Sequence, residues 1–94
     1  MINVNQWWAR RKGRRLLAPI LFRQIERRFP LNAKNTLSLA NTLPVPREVV
    51  NHTLCWMLCE TSDQYTFDQI THLIEELEES YPFGELPPEN KSSS

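Results

Sequence analysis

Residues 46–60 read PREVVNHTLCWMLCE, and within them Val49, Val50, Thr53, Leu54, Met57 and Leu58 recur at helical spacing on one broad apolar arc. Trp56 stands at the border of that arc. Pro46 supplies the fixed φ that suits a helix start, so the stretch predicts a helix over 46–60. Its apolar arc is wide enough to take neighbours on two flanks, which makes it the central element around which the rest of the chain must pack.

Downstream, Thr66 and Gln69 have the capping-box spacing, and Asp68 falls in a first turn, where negative charge favours the helix dipole. Phe67, Ile70, Leu73, Ile74, Leu77 and Tyr81 then form a stripe that predicts an acidic helix over 66–80. Pro82, Gly84, Pro87 and Pro88 stop it, and 89–94 read as a disordered tail. Upstream, 31–46 mixes Asn, Ser and Thr with Leu37, Leu39 and Leu43. A structureless loop of that length is uncommon in a compact domain, so a short helical turn is expected around 34–41.

Nearer the start, Asn5 is a candidate cap for basic helices over 5–29, in which Gly13 is a weak point and Pro19 either kinks one long helix or opens a second. Leu17, Leu21, Ile25 and Phe29 stack at four-residue spacing before Pro30 closes the segment. The fold class that follows is all-α: a small single-domain bundle of three to four helices over 1–88, with a disordered C-terminal tail. A chain of 94 residues buries roughly 60–65% of its unfolded surface, enough for a modest core. Its two glycines, Gly13 and Gly84, leave no material for a Gly-rich phosphate loop or for Gly-dependent hairpins.

The formal net charge of zero conceals a split. Residues 1–47 hold ten Lys/Arg against Glu26, a net of +9, and residues 48–94 hold ten Asp/Glu against Lys91, a net of −9. Segregation on this scale steers a small protein toward polyanions or toward basic surfaces. Arg10, Arg11, Lys12, Arg14 and Arg15 follow directly on Trp7 and Trp8, and this is the composition of a surface for nucleic acid or for a partner: guanidinium forks match phosphate oxygens, and indoles stack on unpaired bases. The plain alternative packs the tryptophans into the core and leaves the arginines as a solvated rim. A further reading lays Trp7, Trp8 and the apolar run 16–22 on an anionic membrane surface, as a peripheral protein.

Glu75, Glu76, Glu78 and Glu79 form the second cluster, in the last turns of their helix, where the dipole disfavours negative charge. Either they pair with Arg23, Arg27, Arg28 or the N-terminal basic cluster, or they face a basic surface on a protein partner. Other constellations carry less. His52, Cys55 and Cys59 lie on one side of the central helix, but zinc would need a fourth ligand, His72 is the only other histidine, and no metal is assigned; buried free thiols are the expected state. A nucleophilic cysteine would need a cleft and an oxyanion hole, which nothing indicates. Exposed glutamates lack the contrasting environments of an acid/base pair, and Asp63, Tyr65 and Asp68 lack the glycine and ligand rhythm of a calcium loop.

No catalytic residue and no cofactor is therefore expected. Two cysteines are too few for a disulfide framework and suit a reducing, cytoplasmic setting. The basic stretch before the apolar run 16–22 looks signal-like, but Arg23 ends that run early and no small-residue cleavage site follows. No stretch reaches the roughly 20 apolar residues of a membrane span. The double tryptophan, the prolines and the Cys/His set match no family signature. The sequence supports a non-enzymatic accessory or inhibitor protein that binds a protein assembly acting on nucleic acid, through the Arg/Trp surface and the acidic helix. Direct, sequence-nonspecific DNA or RNA binding through the arginines is the alternative, and a homo-oligomer is compatible with complementary charged ends.

Overall fold

The computed structural model describes the backbone of residues 4–81 and the side chains of residues 8–81, so the tail expected at 89–94 and the side chain of Trp7 lie outside the described residues. Four helices follow one another: α1 Val4–Glu26, α2 Ala33–Thr42, α3 Arg47–Glu60 and α4 Gln64–Ser80, with no strand among the described residues. This is the all-α bundle expected, with four helices rather than three.

α3 is the central element. Its buried residues are Val49, Val50, Thr53, Leu54 and Met57, and Leu58 and Trp56 pack against them while half-buried. The Thr53 hydroxyl is buried with the apolar side chains because it donates to the Val49 carbonyl one turn back, at 2.7 Å. α1 contributes Leu17, Ala18, Leu21 and Ile25 to the same core, and α4 contributes Ile70, Leu73 and Leu77.

Three local expectations are corrected. α1 runs through Pro19, which is the one-helix alternative, but Asn5 lies inside it rather than capping it. The helix ends at Glu26 rather than at Phe29, because Arg28 turns into the left-handed region at φ 63°. There the Arg28 N–H donates to the Ile25 carbonyl at 3.0 Å and the Phe29 N–H to the Gln24 carbonyl at 2.9 Å, a Schellman closure with arginine where glycine is usual. Phe29 is thereby swung out of the stripe and left 55% exposed. At α4 the cap is Asp63, whose carboxylate accepts from the Thr66 N–H at 2.8 Å, so the helix begins two residues ahead of Thr66 and Phe67 faces solvent at 43% exposure.

The helix ends are also joined to one another. Asn32 caps α2 by accepting from the Asn35 N–H at 2.8 Å, and Glu76 reaches across from α4 to accept from the Ala33 N–H at 3.1 Å. Two of the donors that every helix start leaves unpaired are met in this way. Reciprocally, Arg47 at the start of α3 donates through Nη2 to the Leu77 and Tyr81 carbonyls at 3.4 and 3.2 Å, placing a cation on the negative end of α4. It also donates to Asn51 Oδ1.

Gly13 is a junction rather than a weak point. It is buried, and a Cβ built there would clash with Val49 Cγ1 and sit 3.3 Å from Val45 Cγ1. The missing side chain is what lets the α1 backbone close on α3. Gly13→Ala should therefore lose up to about 2 kcal/mol despite the better helix propensity of alanine, because forcing extra volume into a packed contact costs about 1–3 kcal/mol and the propensity returns at most about 1. Chemical denaturation of Gly13→Ala, Val49→Ala and the double variant checks this: the double variant should be more stable than the sum of the singles implies. Strict additivity would show that the two residues do not meet.

Candidate functional site

The contact at Gly13 sets what lies beside it. From Gly13 against Val45 and Val49, α1 runs in the same direction as α3, so that Arg14 comes level with Trp56 and Phe22 with the region of Glu60 and Thr61. Arg10 and Arg14, one helical turn apart, are therefore turned toward α3, and Arg11 and Arg15 form a second row beside them. Together with His52 these four arginines line a concavity of about 250 Å³, and among the described residues no Asp or Glu lines it. Lys12 is exposed and does not line it.

Arg14 joins this concavity to its neighbour. Its guanidinium lies 4.9 Å from the centroid of the Trp56 ring, and Arg14 and Arg15 also border a second concavity of about 430 Å³, floored by Ala18, Pro19, Phe22 and Trp56. A basic hollow thus opens onto an apolar, aromatic shelf. At the near end of α1 Trp8 is 55% exposed, with the Arg11 guanidinium 6.0 Å from its ring centroid. The plain expectation that Trp7 and Trp8 fill the core fails for Trp8, and Trp56 is half-buried at the border of the apolar arc, as its position on α3 implies.

His52 is half-buried, and its pKa is lowered from 6.5, first by burial and then by the positive charges of Arg10 and Arg14. In the free protein the ring is accordingly neutral at neutral pH. Sequence reasoning missed His52 and Trp56 as members of this face. The signal was present: the two are four apart on α3, as Arg10 and Arg14 are on α1, and Gly13 marks where the helices touch.

The acidic cluster divides by role. Glu76 is half-buried and spent on the start of α2, and Glu78 lies close enough to Arg47 to oppose the lowering of its pKa by burial. Glu75 and Glu79 are exposed, one turn apart. Among the described residues, no ion pair joins the cluster to Arg23, Arg27 or Arg28.

The expectation of buried thiols is also corrected: Cys55 and Cys59 are free and exposed, because the apolar arc of α3 that faces the core excludes both positions. Among the described residues no group of three or more His, Cys, Asp or Glu is placed to hold a metal ion. None of the four helices is long and apolar enough to cross a membrane. At the other end of α1 a concavity of about 540 Å³ mixes Arg23 and Arg28 with Glu26, Glu60 and Asp63, so its charges offset one another. No protein-family model matches the chain, and no curated protein and no solved structure is similar to it.

Proposed function

We propose that the chain is a non-enzymatic binding protein of the machinery that acts on nucleic acid, and that its α1/α3 face contacts a single strand directly. The observation that carries this reading is the convergence of Arg10, Arg11, Arg14, Arg15 and His52 on one hollow that adjoins the aromatic shelf of Phe22 and Trp56. Guanidinium forks hold phosphates without reading sequence, and an adjoining aromatic surface suits unpaired bases, which expose their faces as duplex bases do not. Four clustered arginines also cost free energy through mutual repulsion, a cost that a polyanion removes on binding. Binding of a protein assembly, the leading expectation from the sequence, keeps support from the outward carboxylates of Glu75 and Glu79, which would face a basic partner while α1 and α3 hold the strand.

The test is the salt dependence of binding to a fluorescent oligothymidylate, followed by anisotropy. Four phosphate contacts on a single strand predict a log-log slope of about −3. Absence of binding at low salt, or an affinity indifferent to salt, would contradict direct contact.

A further inference from the structure

We propose that the hollow between α1 and α3 is a phosphate-binding site in which His52 takes up a proton as the phosphate enters. The proposal deepens the reading of this face as strand-binding, and it names the chemical class of the ligand: a phosphate group held between Arg10 and Arg14 on one helix and His52 on the other.

From α1, Arg10 and Arg14 face His52 closely enough to act on its charge, and Arg11 and Arg15 complete the lining. From α3 itself, Glu48 stands one turn before, and Cys55 and Trp56 follow about one turn after. Partial burial, and after it the two arginines, favour the neutral ring in the free protein. An arriving phosphate leaves the burial in place but works against it, because its negative charge offsets the guanidiniums and its oxygens accept a hydrogen bond from a protonated ring nitrogen. Neutral imidazole offers one N–H donor, whereas imidazolium offers two. The site therefore gains a charge-assisted donor only when it is filled.

The sign follows from linkage. A group whose pKa is below its ordinary value in the free state and higher in the bound state takes up a proton on binding, so affinity must rise as pH falls through the interval between the two values. One linked proton limits the gain to tenfold per pH unit. A strand without a terminal phosphate is the right probe, because a terminal monoester titrates near pH 6 (about) and its diesters do not. Thymine bases take up no proton in that interval.

Oligothymidylate lacking a terminal phosphate should accordingly bind about fivefold or more tighter near pH 5.5 than near pH 7.5, with the steepest change around the ordinary histidine value. His52→Gln should flatten this profile while binding persists at neutral pH, and His72→Gln, a change on exposed α4, should leave it intact. The ring resonances of His52 in NMR provide a second readout, with oligothymidylate and inorganic phosphate as separate probes. Displacement by the strand alone places the phosphate in nucleic acid, and equal displacement by both at equal phosphate concentration keeps the site but makes free phosphate its ligand. A flat wild-type profile with binding intact, or a slope retained in His52→Gln, overturns the proposal and leaves strand binding standing. Loss of all binding at every pH removes both.

Discussion

Leu54→Ala should lower the stability of the protein by about 2–5 kcal/mol, the range for truncating a fully buried leucine in a core that cannot collapse around the gap. Leu54 is inaccessible to solvent and belongs to the buried arc of α3, which faces the other helices of the bundle. A chain of this size has total stability of roughly 5–14 kcal/mol, so the change removes a large share of it. Each kcal/mol shifts the melting temperature of so small a protein by about 4–8 °C, and the expected fall is therefore on the order of 10 °C or more. Circular dichroism at 222 nm (approximately the helical minimum) measures it. An unshifted midpoint would mean that α3 is not the centre of the bundle.

The second large effect concerns binding. Replacing Arg10, Arg11, Arg14 and Arg15 together by Ala removes four of the five side chains that line the hollow among the described residues. Charge-assisted hydrogen bonds are worth about 1.5–3 kcal/mol each where they are made, and even partial loss of four weakens binding by about a thousandfold or more. The fold should survive, because all four side chains are exposed or half-buried and none is among the core residues. Retained binding with retained fold would remove the arginines from the account.

Much of the architecture was legible in periodicity alone. Val49, Val50, Thr53, Leu54 and Met57 announce the buried face of α3, and Ile70, Leu73 and Leu77 announce that of α4, because burial follows the 3.6-residue repeat wherever a helix packs on one side. What escaped lies at helix ends and crossings, which periodicity does not register. Phe29 continues the spacing of Leu17, Leu21 and Ile25 but falls outside the core, since the left-handed turn at Arg28 intervenes. Proline after Phe29 reinforces that exit, as it disfavours helical backbone in the preceding residue.

The site was legible on one helix and hidden across two. Arg10, Arg11, Arg14 and Arg15 stand out in the sequence, whereas His52 and Trp56 join them only through the approach at Gly13. A lone glycine in a helical run has two readings, low propensity or close contact, and only the packing chooses between them. The acidic helix shows the converse. Its glutamates look uniform in sequence, yet Glu76 is turned to the Ala33 N–H and the exposed Glu78 acts on Arg47, while Glu75 and Glu79 are exposed one turn apart. Charge placed against the helix dipole thus has a partial structural cause, with Arg47 lying on the last carbonyls of α4.

The strand is expected to bind the basic α1/α3 face and not elsewhere. The most direct test is one anisotropy titration of oligothymidylate against three forms of the protein: the wild type, the variant with Arg10, Arg11, Arg14 and Arg15 changed to Ala, and a Glu75→Gln, Glu79→Gln variant. The account predicts binding by the wild type, loss of it in the arginine variant, and equal or tighter binding in the glutamine variant, whose repulsive carboxylates are gone. Equal binding by the wild type and the arginine variant, or no binding by any of the three, would contradict it.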